Sequence, residues 1–424
     1  MQSAKKLLLI LLFGVNLLNA QVFEQVNNGT AYVQQVYYRF GDGNATIISN
    51  PTWDLAFSAL GQTDAGVHIN ESSSSSSTNP SPALEVYLLQ TNDFSQAVTG
   101  NDLTERIYNP ETTWGEGALN MDKNTSNPMD LGWGVYNPMT HIIEGNRVFG
   151  AKLRNGSFKK FMVEKLEGAI YTLKVSNLDN SNPQTELFDK SSANGSPLLY
   201  FSFTNGVIQS MPTQWDLVFQ RYTIPLLDPS TSQYIPYNVL GVLSGKGVKV
   251  AKAQGVDPQT VTFASFQDSL STDMDKVGYE WKSFGSGAWA VPTDLAYFVK
   301  TGDNHLWKLV FVDFEGSSTG ITTFEKTDLG VATSIETAQA NTNFWVYPTI
   351  ISTECTLALE SKQNEAVDLT LVDMNGKTVW ANHLTSSTDL QAHTLQLPHL
   401  SEGVYRLVLS TGKHSAAQPI IIQH

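Results

Sequence analysis

The sequence Trp53-Asp54-Leu55-Ala56-Phe57 decides the fold of the N-terminal part of the chain, and it returns as Trp215-Asp216-Leu217-Val218-Phe219. Successive side chains of a β-strand point to opposite faces, so the first, third and fifth residues of each phrase share a face. Those positions hold tryptophan, leucine and phenylalanine in both copies. The pattern therefore predicts two strands that each turn one apolar row toward a core.

An internal repeat surrounds the two phrases. Tyr37-Tyr38-Arg39-Phe40 precedes the first and Tyr200-Phe201-Ser202-Phe203 precedes the second. Tyr38 and Tyr200 lie at the same distance before Trp53 and Trp215. After one register shift the alignment resumes at Lys152, Lys160 and Glu167 in the first copy and at Lys300, Lys308 and Glu315 in the second. The repeat predicts two antiparallel β-units, residues 21–185 and 186–335, and leaves open whether they interlock.

Four segments between these anchors have their own predictions. Lys152–Phe161 and Ala296–Phe314 each hold a turn sequence between apolar residues and are predicted hairpins. Ser72–Ser77 is a run of serine, predicted to be a loop or flexible spacer. Ile224–Tyr237 is rich in proline and apolar residues and is predicted to lie against the sheet.

Composition agrees with an all-β protein. The 424 residues are 16% charged, and the formal net charge is −14. Helical bundles need many charged residues on their solvated faces, whereas short strands joined by polar turns do not. A chain this acidic with no basic stripe should repel nucleic acid and anionic membranes, so neither is an expected partner.

The first twenty residues are predicted to be a secretory signal peptide. Lys5 and Lys6 supply the positive charge, and Leu7–Val15 is an apolar segment too short to cross a bilayer. Asn19-Ala20 offers a cleavage site before Gln21. Elsewhere no stretch reaches the roughly 18 apolar residues of a membrane span. The protein is therefore expected outside the cell or on its surface.

The last block, 336–424, is predicted to be a small immunoglobulin-like β-sandwich. Phe344–Pro348 opens it, and Met374-Asn375-Gly376-Lys377 is an Asn-Gly turn of the kind that closes a hairpin. The phrase from Leu400 to Leu409 and a final strand, Pro419–Ile422, follow in order. Cys355 is the single cysteine of the chain, so no internal disulfide can form.

This order of motifs resembles the type A C-terminal sorting domain of the type IX secretion system of Bacteroidota. Two positions depart from the pattern, because Thr349 follows Pro348 where asparagine is usual and the last strand lacks its leading lysine. The resemblance implies that the type IX machinery is a partner. It also implies a head that is released or attached at the cell surface, with a tail that is commonly cleaved.

The repeat resembles the HmuY-like family of secreted or surface β-proteins that capture haem. The resemblance rests on the Trp-Asp-Leu phrase and on Gly278-Tyr279-Glu280-Trp281 ahead of the second hairpin. It implies two axial iron ligands, histidine or methionine, from loops between these motifs. In the first unit the candidates are His68, Met121 and Met129, and in the second unit that window holds Met274 and no histidine. Haem is thus the implied ligand. The competing interpretations are a surface loop for His68 and irregular packing for the methionines.

No catalytic constellation with useful spacing is present in the sequence, and the protein is not expected to be an enzyme. The leading hypothesis is a secreted binding protein that captures haem or another apolar small ligand. The alternative hypothesis is a structural or adhesive surface protein that keeps the scaffold without haem ligands. Both are compatible with the motifs, because the motifs identify the scaffold.

Overall fold

The structure is a computed structural model, and it describes residues 21–59, 61, 64–76, 81–331, 342–348, 350–361, 366–373, 377–386, 391–411 and 415–424. Two earlier predictions fall outside these residues: the signal peptide at 1–20 and the tip of the Asn-Gly turn at 374–376. Two units are distinguished, residues 1–332 and residues 333–424. Their described parts are called the head, 21–331, and the tail, 342–424.

The prediction of an all-β protein is confirmed. The head contains β1 (Gln21–Asn27), β2 (Gln34–Tyr38), β3 (Ala45–Ser49), β4 (Leu55–Ser58), β5 (Val67–Ile69), β6 (Glu85–Leu88), β7 (Glu105–Ile107), β8 (Gly134–Asn137), β9 (Ile142–Gly145), β10 (Phe149–Lys152), β11 (Phe158–Glu167), β12 (Ile170–Ser176), β13 (Gln184–Asp189), β14 (Leu198–Ser202), β15 (Gly206–Ile208), β16 (Leu217–Asp228), β17 (Gln233–Ser244), β18 (Lys249–Gln254), β19 (Ser283–Gly285), β20 (Ala288–Ala290), β21 (Leu295–Lys300), β22 (His305–Phe314) and β23 (Ile321–Val331).

The described helices are single 3₁₀ turns of three or four residues: Thr30–Tyr32, Asn50–Thr52, Gly100–Asp102, Ala118–Asn120, Lys190–Ala193, Phe263–Ser265, Gln267–Ser269 and Gly316–Ser318. Within the described ranges no helix is long and apolar enough to span a membrane.

The head consists of two sandwiches. Outer sheet 1 has the order β13-β12-β11-β10-β6-β7 with β9 and β8 beyond β11, and inner sheet 1 has the order β15-β14-β4-β5. Inner sheet 2 runs β17-β16-β2-β3, and outer sheet 2 runs β1-β23-β22-β21-β18. Each pair shares one apolar core. A third cluster, which includes Tyr37, Trp53, Tyr200 and Trp215, lies between the inner sheets. The layers therefore follow the order outer, inner, inner, outer.

The two sequence repeats exchange strands. In the first repeat, β4 to β12 build sandwich 1, but β1 joins outer sheet 2 and the β2–β3 hairpin joins inner sheet 2. In the second repeat, β16 to β18 and β21 to β23 contribute to sandwich 2, and β19 and β20 form a two-stranded sheet of their own. The strand β13, which spans the boundary between the repeats, joins outer sheet 1, and the β14–β15 hairpin joins inner sheet 1. The predicted units 21–185 and 186–335 thus interlock, and neither forms a sandwich from its own strands.

The Trp-Asp-Leu phrase lies at this crossing. Leu55 and Phe57 fill the core of sandwich 1 as predicted. Trp53 does not share their face: it precedes β4 and packs in the cluster between the inner sheets, as Trp215 does. Each aspartate binds the opposite repeat. Asp54 Oδ2 accepts a hydrogen bond from Phe203 N at 2.8 Å, and Asp216 Oδ2 accepts one from Phe40 N at 2.8 Å. The backbone repeats the exchange, because Asp54 N donates to Phe201 O and Asp216 N donates to Tyr38 O. The aspartates satisfy backbone groups where a strand leaves its sheet.

Removing either aspartate should weaken the crossing. Asp54→Ala and Asp216→Ala are each expected to lower the free energy of unfolding of the head by about 1–3 kcal/mol, because a backbone N–H loses its acceptor. Urea unfolding measures the change, with Asp268→Ala, at an exposed position, as the control. If both variants unfold at the control's midpoint, the aspartates do not stabilise the crossing.

Two hairpin predictions are confirmed. In the first, Lys152 of β10 is opposite Phe158 of β11, and Gly156 adopts a φ of 81° in the connecting turn. In the second, Lys300 of β21 is opposite Leu306 of β22, and Asn304 adopts a φ of 65°. Residues in this left-handed region are asparagine or glycine in most turns, which is why the turn sequences located these hairpins correctly.

Of two predictions about variable segments, one is confirmed in part and the other is wrong. The described part of the serine run, 72–76, has no regular secondary structure, as predicted for a loop. Ser72, in the predicted flexible run, is buried, accepts from Gln35 Nε2 at 3.0 Å and donates to Arg221 O at 3.0 Å. Ile224–Tyr237 does not lie flat against the sheet. It forms the outer half of the β16–β17 hairpin, and most of its residues are exposed. Unbroken pairing along both strands lets this hairpin extend past the sheet.

The tail is a β-sandwich. Its strands are β24 (Thr342–Tyr347), β25 (Ile350–Ile351), β26 (Glu354–Ser361), β27 (Ala366–Val372), β28 (Thr378–Thr385), β29 (Gln391–Gln396), β30 (Gly403–Thr411) and β31 (Ser415–Ile422). They form sheets of the order β24-β26-β29 and β25-β31-β30-β27-β28, which share one apolar core. Cys355 is buried in that core.

Candidate functional site

The candidate site is a cleft of the head between two hairpins, here called the hairpin cleft. One wall is the outer part of the β16–β17 hairpin, and another is the short β19–β20 hairpin. The cleft has a volume of about 680 Å³, within the range of roughly 300–1,000 Å³ that small-molecule sites occupy. Its lining includes Tyr32, Ser75, Arg221, Ile224, Leu226, Tyr237, Asn238, Tyr279, Lys282, Phe284 and Trp289.

The β16–β17 hairpin projects because the two strands remain paired to their ends. Pro225 lies opposite Pro236, and Asp228 lies opposite Gln233. The two prolines supply no backbone N–H to neighbouring chains, which protects this exposed hairpin from further strand pairing. Its apolar residues nevertheless face solvent, with Tyr234 71% exposed. In the first repeat the corresponding strand β4 ends at Ser58, so the projection is a property of the second repeat.

Aromatic side chains of the β19–β20 hairpin form the second wall. Phe284 is 63% exposed, and its ring centroid lies 5.1 Å from that of Trp289. Trp289 also packs edge-on against Phe314 at 5.0 Å. Gly316, at a φ of 73°, permits this packing, because a Cβ atom there would lie 2.6 Å from Trp289 Nε1. The aromatic wall is thus held in place from behind and open in front.

Arg221 places a cation in the cleft wall. Its Nη1 donates to Ser73 O at 3.2 Å and Ser73 Oγ at 3.0 Å, and its Nη2 donates to Asn238 O at 2.9 Å. A guanidinium has five N–H groups, so these bonds leave two of them for another partner. Burial lowers the pKa of Arg221 from its usual value. Among the described residues no carboxylate forms an ion pair with it.

Lys282 is the second cation of the cleft wall. Its Nζ donates to Leu240 O at 2.6 Å and lies 4.1 Å from the centroid of the Trp281 ring. The Phe314 ring is 5.0 Å away. The side chain is 8% exposed, and burial lowers the pKa of Lys282 to about 7. Within the part of the chain that the structure describes, no carboxylate pairs with this ammonium group.

A second open cleft in the head has a different character. It has a volume of about 650 Å³ and is lined by polar and charged groups with Trp215 and Trp307. Its cations are matched to carboxylates, because Arg39 pairs with Asp42 and Lys246 pairs with Asp64. His305 Nε2 lies 2.5 Å from Asp328 Oδ1. No three or more His, Cys, Asp or Glu side chains among the described residues are arranged to hold a metal ion. The hairpin cleft is therefore the better candidate.

The structure corrects the surface-loop interpretation of His68. The residue lies on β5, opposite Ala56, and is 2% exposed. Its Nε2 donates to Trp114 O at 3.2 Å, and burial lowers its pKa to about 4. His68 lines an internal cavity of about 30 Å³ between the inner sheets. That volume can hold a water molecule but no porphyrin.

The two methionine candidates lie elsewhere. Met121 is half exposed and lines a third cleft, of about 500 Å³, on the β16–β17 hairpin with Arg106 and Tyr234. Met129 is also exposed and lines none of the cavities described above. The structure therefore does not assemble His68, Met121 and Met129 around one cavity. None of the three lines the hairpin cleft.

Comparison with known families identifies the tail. Residues 345–423 match the family model of the secretion system C-terminal sorting domain. The tail is a type IX sorting domain. The protein is accordingly exported to the cell surface or beyond it, and the predicted partnership with the type IX machinery follows from the sorting domain.

Other comparisons add little about the head. No curated protein matches the chain significantly. A solved structure titled "Biofilm associated protein - BSP domain" is 8% identical, with 95% of this chain and 81% of that chain covered, at a TM-score of 0.17. A score this low supports no inference about function. Because the tail serves export, the head is the part of the chain in which a binding activity is expected.

The residues of the hairpin cleft were missed in the sequence. Arg221 lies two residues after the Trp215–Phe219 phrase, and Lys282 follows Trp281 directly, so neither residue stood out from its motif. One signal was available: 281–291 is Trp-Lys-Ser-Phe-Gly-Ser-Gly-Ala-Trp-Ala-Val, which places exposed aromatic residues in a short glycine turn with one charge. A short segment that combines large aromatic residues with a single charge indicates a binding surface.

Proposed function

We propose that the protein is an exported, non-catalytic binding protein whose head captures an aromatic or otherwise apolar small molecule in the hairpin cleft. One observation carries the proposal: two projecting hairpins expose Leu226, Tyr237, Phe284 and Trp289 around the same cleft. Apolar surface gathered in this way marks a binding site, because soluble proteins seldom expose contiguous apolar patches without function. The sorting domain supports the proposal, since capture outside the cell requires an exported protein.

Haem is the specific ligand to test first, because the resemblance of the repeat implies it and its porphyrin is an apolar ring system. In this proposal it occupies the hairpin cleft, where His68, Met121 and Met129 do not contribute. Iron-free protoporphyrin IX should therefore bind about as tightly as haemin. Absorbance titrations of the mature chain with both compounds make the comparison.

A neutral fluorescent probe tests the cleft independently of iron. N-phenyl-1-naphthylamine is expected to bind the mature chain saturably, and Trp289→Ala should weaken this binding by about tenfold, because the aromatic wall loses a large contact. Phe158→Ala, which removes an exposed aromatic side chain of outer sheet 1, is the matched control. Equal binding by both variants, or no binding at all, would contradict the proposal.

Adhesion is the second candidate function, and the tip of the β16–β17 hairpin favours it. Leu227 and Tyr234 are exposed cross-strand neighbours that lie outside the lining of the hairpin cleft. If neither N-phenyl-1-naphthylamine nor a porphyrin binds, these residues indicate contact with a larger apolar surface.

A further inference from the structure

We propose that the ligand of the hairpin cleft carries an acidic group, a carboxylate or a sulfonate, which Arg221 and Lys282 bind together. The inference rests on the proposed function and adds to it the chemical class of the ligand and two specificity-determining residues. It concerns groups that neither the repeat motifs nor the sorting domain assign to any role.

The first argument is the charge balance of the cleft. Arg221 and Lys282 both line it, and in the described part of the chain neither has a carboxylate partner. Buried charges in proteins are normally paired, because a cation loses its hydration without an equivalent partner. Here backbone carbonyls and two aromatic rings provide partial compensation. An anionic ligand group would complete it.

The second argument is a comparison with other buried cations of the head. Lys160 Nζ donates to Gln96 O and also contacts Asn180, and Lys308 Nζ donates to Pro258 O. These equivalent lysines of the two repeats are held by oxygen atoms in the same way, but they line none of the four cavities above. Carbonyl-bound lysine is thus a structural device in this protein. What sets Lys282 apart is its position in an open cleft that Arg221 and five aromatic residues also line.

The third argument concerns the electrostatic field of the whole molecule. The chain has a formal net charge of −14, so an anion gains nothing from long-range attraction and is repelled. A preference for an anionic ligand over a neutral analogue must therefore come from local cations. This property makes the experiment specific, since non-specific binding would favour the neutral compound.

Two dyes with the same anilinonaphthalene skeleton provide the test. 8-Anilinonaphthalene-1-sulfonate carries a sulfonate, and N-phenyl-1-naphthylamine lacks it. At about 0.15 M salt, where weak surface attraction is screened, we expect the mature chain to bind the sulfonate at least about tenfold more tightly. Lys282→Met and Arg221→Gln should each weaken sulfonate binding by about tenfold to a hundredfold, as for the loss of a hydrogen bond to a charged group, and change binding of the neutral dye by less than about twofold.

Lys249→Met is the control, because it removes one positive charge at an exposed position of β18. Equal affinity of the two dyes for the wild-type chain, or an effect of Lys282→Met no larger than that of Lys249→Met, would overturn the inference while leaving the proposed function intact. If neither dye responds to Trp289→Ala, the proposed function itself is wrong. Should either cleft variant fail to fold, the ratio of the two wild-type affinities still decides.

Discussion

Cutting the head between its two repeats is expected to leave neither half folded. Fragment 21–180 would carry β1, β2 and β3 without their partners in sandwich 2, and it would lack the strands β13, β14 and β15 that complete sandwich 1. Fragment 181–331 has the converse defect. Because each half loses pairing in two sheets and part of two cores, we expect loss of the whole folding free energy, about 5–15 kcal/mol for a domain.

The measurement compares each purified fragment with the intact head, 21–331. Circular dichroism monitors unfolding, and the dispersion of the amide proton chemical shifts reports whether the fragment is folded. Mixing the fragments should restore the signal of the intact head. A protease site inserted at Asn180-Ser181 and cleaved after folding is the matched control, because the cut chain should stay assembled. Cooperative unfolding of either fragment alone would show that a repeat folds independently and that the exchanged strands are dispensable.

Acid is expected to destabilise the head through His68. The folded-state pKa of this buried imidazole is about 4, whereas an unfolded histidine titrates near 6.5. Between these values the unfolded chain binds more protons than the folded chain, so the free energy of unfolding falls as the pH is lowered. The contribution is fully present above pH 6.5 and is lost toward pH 4, with a limit of about 3 kcal/mol.

His68→Leu isolates this effect. Leucine is a suitable replacement because Leu243 holds the equivalent place in the second repeat, opposite Val218 as His68 is opposite Ala56. Urea unfolding measures both proteins from pH 4 to pH 7. The free energy of unfolding of the wild-type chain should fall relative to that of His68→Leu as the pH is lowered. Glu71, whose pKa burial raises to about 7, acts in the opposite direction in both proteins and cancels in the difference. An unchanged difference across this range would show that His68 binds the same number of protons in the folded and unfolded states.

The sequence located the strands of the head well, because their signals are local. The alternation in Trp53–Phe57 and the glycine turn after Lys152 depend on neighbouring residues. The turn gave the correct hairpin, and the alternation gave a strand that is real from Leu55 onward. The exchange of strands could not be found in this way. The pairing of β4 with β14 joins residues Leu55 and Phe201, and nothing in either segment distinguishes a partner in its own repeat from one in the other.

The candidate site was predicted less well, for a physical reason. His68 was singled out because histidine binds iron, yet burial between the inner sheets leaves it bonded to Trp114 O. No role was predicted for Lys282, because an isolated lysine in a sequence is normally solvated. What makes it a candidate is the fold, which places it under two aromatic rings and beside Arg221 in an open cleft. Such a property belongs to the assembled layers and to no single segment.

The strand exchange also bears on when an exported chain can become active. β1, the first described strand of the head, pairs along its whole length with β23, the last one. The head therefore cannot complete outer sheet 2 until its final residues are available, and pairing between such distant segments is slow to form. We expect ligand capture to begin only after this last strand of the head has joined the sheet.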